Sequence, residues 1–439
     1  MKEFDAIIGY KAVKQDLANI CDVLQNPEAY AKLGAATPKG LLHHGEPGVG
    51  KTLMAASLIA ASGRPAFTCR KDQSGGDFLK SIRETFAQAK ENSPSIVFLD
   101  DLDKFSNCDI DLPDAEEYVT VQSCIDDLTG CEVFVIATAN NKRKLPRSLL
   151  RAGRFDRVME IAAPHGADAE KIIRHYLAGK NIVGDLDVKL IARMMDGRSC
   201  AELETVINAA AVYAGAERAE RITEQHFIEA CLRTCFAVSA KSDDEDELDW
   251  HLRRLSPMKE RRSQSVACHE AGHAVIAELL CPGSVTLTTI RGDNTHFGGF
   301  TLFYKDETVE DYAWLECQII SALGGKAALE QKYGVLDLGS SADLQTAFDA
   351  VKELVRSCCL CGFQLHGTEY QNSQAALAHQ EQAVAAEIEK YYRKAKEILA
   401  ANREFFEKVE QELTGKTLLT MRDLARIRQD SEVIHRIQI

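Results

Sequence analysis

The 439-residue sequence lacks an excess of basic charge: 52 Lys and Arg face 66 Asp and Glu, a net charge of −14. A chain this acidic does not hold DNA or an anionic membrane by bulk charge. It also lacks any apolar run of the roughly 18–20 residues that a membrane-spanning helix needs; the longest candidate, 53–61, is about half that and carries Ser57. The amino terminus, Met1-Lys2-Glu3-Phe4-Asp5, has no apolar core of a secretory leader. No repeat occurs at solenoid periods. The 14 cysteines show no framework spacing, and without a leader they read as reduced thiols of a cytosol. A soluble intracellular protein is the expectation. With 45% hydrophobic and 27% charged residues the chain can bury sizeable cores, which excludes a disordered or collagen-like polymer. At roughly 150 residues per domain, its length suits about three domains.

Two composition breaks organise it. Residues 241–254 are a charged run with little to bury, read as a linker. A softer break falls at Pro164-His165-Gly166. Before it, β-rich runs at 40–43, 66–69, 96–99 and 133–138 alternate with helical stretches, the pattern of a parallel α/β sheet. From 168 to 237 the spacing is helical, Ala-rich over 201–219. After the linker the pattern predicts a helix at about 262–281, a strand-like patch over 285–304 and helices to the end, those at about 375–412 serving as scaffold. The expected domains are an α/β part over 1–163, a helical part over 164–240, an acidic linker over 241–255 and a mainly α-helical part over 256–439.

The first chemical motif is Gly45-Glu46-Pro47-Gly48-Val49-Gly50-Lys51-Thr52. It fits GxxxxGK[ST], follows a strand and opens an apolar helix, the context a phosphate-binding loop requires. Glycines let backbone N–H groups converge on phosphate oxygens, and the helix N-terminus adds positive charge. Lys51 is expected at the β/γ-phosphates of ATP and Thr52 on Mg²⁺. Downstream, 95–103 is an apolar run ending in carboxylates, which suits a central strand delivering Asp100 to Mg²⁺ at the sheet's C-terminal edge. Asn140 ends another apolar run and is apt for placing the attacking water. Arg151 and Arg154 present guanidinium groups that either stabilise γ-phosphate charge in a neighbouring subunit or form a salt-bridged surface.

The order of these elements resembles an AAA+ ATPase, and more closely the ATPase module of FtsH-type proteases. The resemblance implies a helical lid (197–203 matches it more loosely), with Lys51 and Thr52 as Walker A and Asp100 and Asp101 as Walker B. It further implies Asn140 as sensor, Arg151 and Arg154 as arginine fingers, and Ile8-Gly9 as the segment packed on adenine. Two departures stand out. The family's second Walker B acid is Glu, whereas this chain has Asp101; a misplacement near 1 Å costs about 10²-fold in rate, so slow hydrolysis is one expectation. The family's aromatic-aliphatic-Gly pore loop aligns with Ser74-Gly75-Gly76, and nearby Phe78 reads as a core residue rather than a substitute.

The second motif is Cys268-His269-Glu270-Ala271-Gly272-His273. Residues four apart share a helix face, so His269 and His273 can ligate one Zn²⁺, and Glu270 can take a proton from zinc-bound water. Two surface histidines are the alternative, but Val266, Ala267, Ala274, Val275 and Ala277 make the helix too apolar for that. A catalytic site needs a third ligand. His-Glu-Ala-Gly-His is the form used by FtsH-type zinc metalloproteases, and the resemblance now covers nearly the whole chain. In that family an Asp near a helix start is the third ligand, which implies Asp343, 70 residues after His273, with Ser340 or Ser341 as N-cap and Asp337 as the fallback. His296 and the cysteines of 358–361 read as an ordinary loop histidine and a helix-end cluster.

What the resemblance implies is an ATP-dependent zinc metalloendopeptidase that acts on proteins and peptides as a homohexamer, with Zn²⁺, ATP and Mg²⁺ as cofactors and no nucleic-acid partner. Family members carry N-terminal membrane segments; this chain shows none, as a soluble divergent relative or a cytosolic piece. Two other readings stay open. One is a peptidase with a near-silent ATPase, favoured by Asp101 and the absent pore aromatic. The other is a non-proteolytic remodelling ATPase or scaffold with a structural zinc, disfavoured by a carboxylate at the general-base position.

Overall fold

The structure, a computed structural model, describes residues 4–35, 37–71, 76–106, 115–238, 256–292, 298–305, 312–334, 340–363 and 374–435. The chain forms two compact units, Met1–Phe227 and Ile228–Ile439. The predicted linker 241–255, Ser74-Gly75, His296 and Asp337 lie outside the described residues.

The first unit holds a five-stranded parallel sheet in the order β2-β3-β4-β1-β5, built from β1 (Gly40–His44), β2 (Ala66–Arg70), β3 (Ser95–Asp100), β4 (Val133–Ala139) and β5 (Arg157–Glu160). Its helices are α1 (Lys11–Gln25), α2 (Pro27–Ala31), α3 (Lys51–Ser62), α4 (Gly76–Glu91), α5 (Glu116–Asp126), α6 (Gly166–Leu177), α7 (Val188–Met194), α8 (Cys200–Ala216) and α9 (Glu224–Phe236), which runs past the boundary. Strands β3 and β4 are buried along their whole length because helices cover both faces. Alternate residues serve different cores. Leu41, Ile96, Phe98, Phe134 and Ile136 meet α1 and α3 through Leu17, Ile20, Met54 and Leu58. Leu42, Val97, Leu99 and Val135 meet α4 and α5 through Phe78, Ile82, Phe86, Val121 and Ile125. Phe78 is fully buried and stands edge-on to Phe105 at 4.9 Å, so it is a core residue, as its helical spacing suggests. Parallel register brings the C-terminal ends of β1, β3 and β4 to one edge, where ligands of such sheets bind.

In the second unit α10 (Ser256–Leu280) is the central element, longer at its start than the sequence pattern indicates. Around it lie α11 (Tyr312–Ala322), α12 (Gly324–Tyr333), α13 (Ser341–Arg356), α14 (Gln374–Ala401), α15 (Arg403–Lys416) and α16 (Met421–Gln429). An antiparallel sheet, β7-β6-β8, comes from β6 (Val285–Thr289), β7 (Phe300–Phe303) and β8 (Leu418–Thr420). Ala267, Cys268, Ala271, Ala274, Val275, Ile276 and Ala277 are all buried, so α10 is packed on every side over 267–277. Its small residues admit α12 closely: a Cβ on Gly272 would stand 2.4 Å from the Gly324 carbonyl oxygen, and one on Gly324 2.6 Å from that of Gly272. Among the described residues no helix is long and apolar enough to cross a membrane.

One polar residue sits badly in the first unit. His43, paired with Thr138 and Met159 in the sheet, is fully buried, and among the described residues neither ring nitrogen has a hydrogen-bond partner. Burial pushes its pKa from 6.5 down to about 4. The unfolded chain therefore binds a proton below pH 6.5 that the folded chain refuses until about pH 4, so stability falls as pH falls through that window. The full penalty is about 3 kcal/mol. His43→Leu is expected to remove this component: the stability difference between variant and parent in urea unfolding should widen from pH 7 to pH 4. A difference independent of pH would refute the assignment.

Candidate functional site

The phosphate loop, 45–50, joins β1 to α3 at the sheet edge. Gly45, at φ 147°, has room for no side chain: a Cβ would lie 2.1 Å from the Ile161 carbonyl oxygen. Lys51 opens α3, and its ammonium donates to the carbonyls of Gly45 at 2.8 Å and Glu46 at 2.6 Å; burial lowers its pKa. The Thr52 hydroxyl donates to Asp100 Oδ1 at 3.1 Å, Thr138 donates to the same oxygen at 2.7 Å, and Arg70 pairs with Oδ2 at 2.6 Å. Asp101 adopts a left-handed backbone, φ 57°. Its carboxylate accepts from Lys104 at 2.8 Å and from the Asn140 side chain at 3.3 Å. Asp103 receives the main-chain N–H groups of Asn140 at 3.0 Å and Asn141 at 3.1 Å. Lys51, Thr52, Asp100, Asp101 and Asn140 thus meet at one edge.

Ile8 and Gly9 precede Tyr10, whose N–H donates to Asp168 at 3.0 Å and whose hydroxyl donates to the Ala162 carbonyl at 2.9 Å. Helix α8 starts with a Ser199–Glu202 capping box, and the Ala201 N–H reaches the Gly48 carbonyl at 3.2 Å. The two arginines separate. Arg151 is exposed. Arg154 is engaged within its own chain, with Asp126 at 2.8 and 3.0 Å, Gln122 at 3.0 Å and the Ser148 carbonyl at 2.7 Å. Sequence reasoning assigned no role to Arg70, Lys104 or Asp103. A lone cation at a strand end carries no motif, and only the fold shows what it faces.

In the second unit, His269 and His273 project from one face of α10 toward Asp343 in the first turn of α13. Their Nε2 atoms are 2.9 Å apart, and Asp343 Oδ2 lies 3.1 Å from His269 Nε2 and 3.4 Å from His273 Nε2. Tetrahedral zinc with bonds of about 2.0–2.1 Å holds its ligands about 3.3 Å apart, so this donor set fits the ion in kind and spacing. His273 Nδ1 lies 2.6 Å from the Ser321 carbonyl oxygen. A carbonyl only accepts, so Nδ1 carries the proton and Nε2 presents its lone pair to the centre. Burial works to raise the Asp343 pKa, but the two imidazoles beside it outweigh that and hold the carboxyl well below the usual range. Glu270 is buried beside the centre, and desolvation raises its pKa against the opposing pull of the two imidazoles. Ser340 occupies the N-cap of α13 without a side-chain cap hydrogen bond. The cysteines of 358–361 follow α13, and among the described residues none of them forms a disulfide.

Residues 41–163 match the model of the "ATPase family associated with various cellular activities (AAA)", and residues 256–427 match "Peptidase family M41". The chain is 33% identical to ATP-dependent zinc metalloprotease FtsH 2 of Symbiobacterium thermophilum, an alignment covering 97% of this chain and 74% of the relative. The chain belongs to the FtsH family of ATP-dependent zinc metalloproteases. Helicobacter pylori FtsH is 28% identical over 99% of this chain and 72% of its own length. Sphaerobacter thermophilus FtsH 3 is 32% identical over 80% and 72%. Family membership makes the chain a zinc metalloprotease with an α/β AAA domain followed by a mainly helical peptidase region.

Gly325 shows how tightly this FtsH-family centre is supported, since a Cβ there would come within 2.5–2.6 Å of the His269 ring. Gly325→Ala is therefore expected to displace His269 and weaken zinc binding about 10–100-fold, the usual cost of disturbing a ligand's support. Competition with a chelator measures this directly; retention equal to the parent's would show that the ring moves aside freely.

Proposed function

We propose that the chain hydrolyses peptide bonds within protein substrates, using zinc held by His269, His273 and Asp343 and Glu270 as general base, with ATP turnover in the AAA domain driving substrate delivery. The observation that carries this reading is the convergence of two imidazole nitrogens and one carboxylate within 3.4 Å, with a buried glutamate alongside. Bound there, zinc would polarise the substrate carbonyl and acidify a water. Glu270 takes the water's proton and returns it to the departing amine, and the burial that raises its pKa makes it the stronger base for that exchange. His273 keeps its Nε2 lone pair on the centre because Ser321 fixes the proton on Nδ1.

In the AAA domain the phosphate loop from Gly45 to Thr52 would bind the phosphates of ATP, with Lys51 at the β/γ oxygens. Thr52 and Asp100 would hold Mg²⁺, Asp101 and Asn140 would orient water, and Ile8-Gly9 would pack on adenine. Arg151, exposed, is the better placed finger for a neighbouring copy in a homohexamer; Arg154 would first have to leave Asp126. The domains follow as a nucleotide-binding part over 1–163, a lid over 164–240, a linker over 241–255 and a peptidase over 256–439.

Casein digestion by the purified chain with ATP, with a non-hydrolysable analogue and without nucleotide tests the reading. Digestion is expected to need ATP, and Glu270→Gln should keep about one zinc per chain while losing about 10²–10⁴-fold in rate. Full proteolysis by the zinc-loaded Gln variant would remove Glu270 from the mechanism.

The specific position of Asp101 favours a second reading, a peptidase with weak ATP turnover. Its shorter carboxylate is held by Lys104, on the chain's own following turn. Asp101→Glu should raise the steady-state rate of ATP hydrolysis toward ten- to a hundredfold if carboxylate placement limits it. An unchanged or lower rate would show that the site is built around Asp.

A further inference from the structure

We propose that Thr301, backed by Thr288, is the positioning residue that aims the Glu270 carboxylate; this rests on the reading of Glu270 as general base. Strands β6 and β7 pair so that Thr288 and Thr301 stand opposite each other. The Thr301 hydroxyl donates to Glu270 Oε2 at 2.9 Å, and its oxygen lies 2.9 Å from that of Thr288, which is fully buried. The Glu270 carbonyl oxygen is also near, but at 3.4 Å it is the weaker acceptor.

The protons can be counted. An ionised carboxylate has none to give, so the single hydroxyl proton of Thr301 goes to Oε2. Thr288 can then only donate to the Thr301 oxygen. The result is a one-way chain, Thr288 to Thr301 to Glu270, in which each hydroxyl rotor has one setting. The same stretch of chain also confines the stem of Glu270: a Cβ on Gly299 would lie 2.8 Å from Glu270 Cγ. Gly299 limits the side chain along its length and Thr301 caps one carboxylate oxygen, which leaves Oε1 as the atom that takes the water's proton. A neutral donor suits this task. It fixes the carboxylate without the full charge that would quench its basicity.

Thr301→Val keeps the shape and deletes the donor; Thr301→Ser keeps the donor. With zinc content checked by elemental analysis, Thr301→Val should lose about 10–100-fold in kcat on a fluorogenic peptide, with KM within about twofold, because the base is misaimed while substrate contacts remain. Thr301→Ser should recover to within about threefold of the parent, and affinity for a peptide hydroxamate, whose proton also passes to Glu270, should fall about tenfold in the Val variant. Zinc retention against a chelator should match the parent in both. If Thr301→Val proves unable to hold zinc, Thr288→Val decides: about a threefold or larger drop in kcat at constant KM supports the chain, and parental kcat overturns it. Parental kcat in zinc-loaded Thr301→Val, or Thr301→Ser as impaired as Val, also overturns it. Glu270→Gln run alongside separates the two failures: an inactive Gln variant with an unaffected Val variant sinks only the role of Thr301, whereas an active Gln variant sinks the base itself.

Discussion

The peptidase unit depends on a backbone-to-backbone contact between α10 and α12 at Gly272 and Gly324. With no side chain on either residue, the helices come together at a separation that any Cβ would forbid. That closeness puts Gly325 against the ring of His269. Helix α11, which leads into α12, ends where the Ser321 carbonyl accepts a hydrogen bond from His273 Nδ1–H. The two ligands are thus oriented by packing on one side and by a carbonyl on the other, before any ion is considered. Cores are dense enough to transmit sub-ångström displacements, so the seating of the His269 ring is inherited from the helix crossing.

The AAA domain shows three neighbouring acids made different by what surrounds them. Asp100 is buried and held by Thr52, Thr138 and Arg70. Asp101 leans outward to Lys104 from a left-handed backbone. Asp103 is buried and spent on two main-chain N–H groups. Composition alone would rank the three alike. In the proposed ATP site the first would meet a cation that displaces Arg70 and the second a water, while the third is spent on the main chain.

Much of this was legible in the sequence because the governing periods are short. HExxH places two imidazoles on one helix face by arithmetic, with a carboxylate next to them, and the glycine-rich loop is contiguous with the strand and helix that define it. Asp343 was readable only through the family resemblance, since a first-turn acid has a second explanation in the helix dipole. Ser321 was beyond reach because a backbone carbonyl leaves no trace in residue type. Thr301 was missed because threonine is ordinary in a strand, and its meaning comes from register against Thr288 and from the approach of α10. Strands β5 and β8 escaped notice because they are short: β5 is largely exposed and mixed in character, and β8 spans three residues. Arg154 shows the opposite limit: the sequence offered a finger or a surface ion pair, and within one chain it pairs with Asp126.

Asp103 has a mechanical consequence. By gripping Asn140 and Asn141 through their main-chain N–H groups, it ties the tip of β4 to the turn that follows β3. That turn, Leu102–Lys104, also carries the ammonium that holds Asp101. Asn140 and Lys104 are therefore joined through Asp103 and the short turn that carries it. A displacement of the β4 tip would be passed through Asp103 to the turn whose lysine grips Asp101.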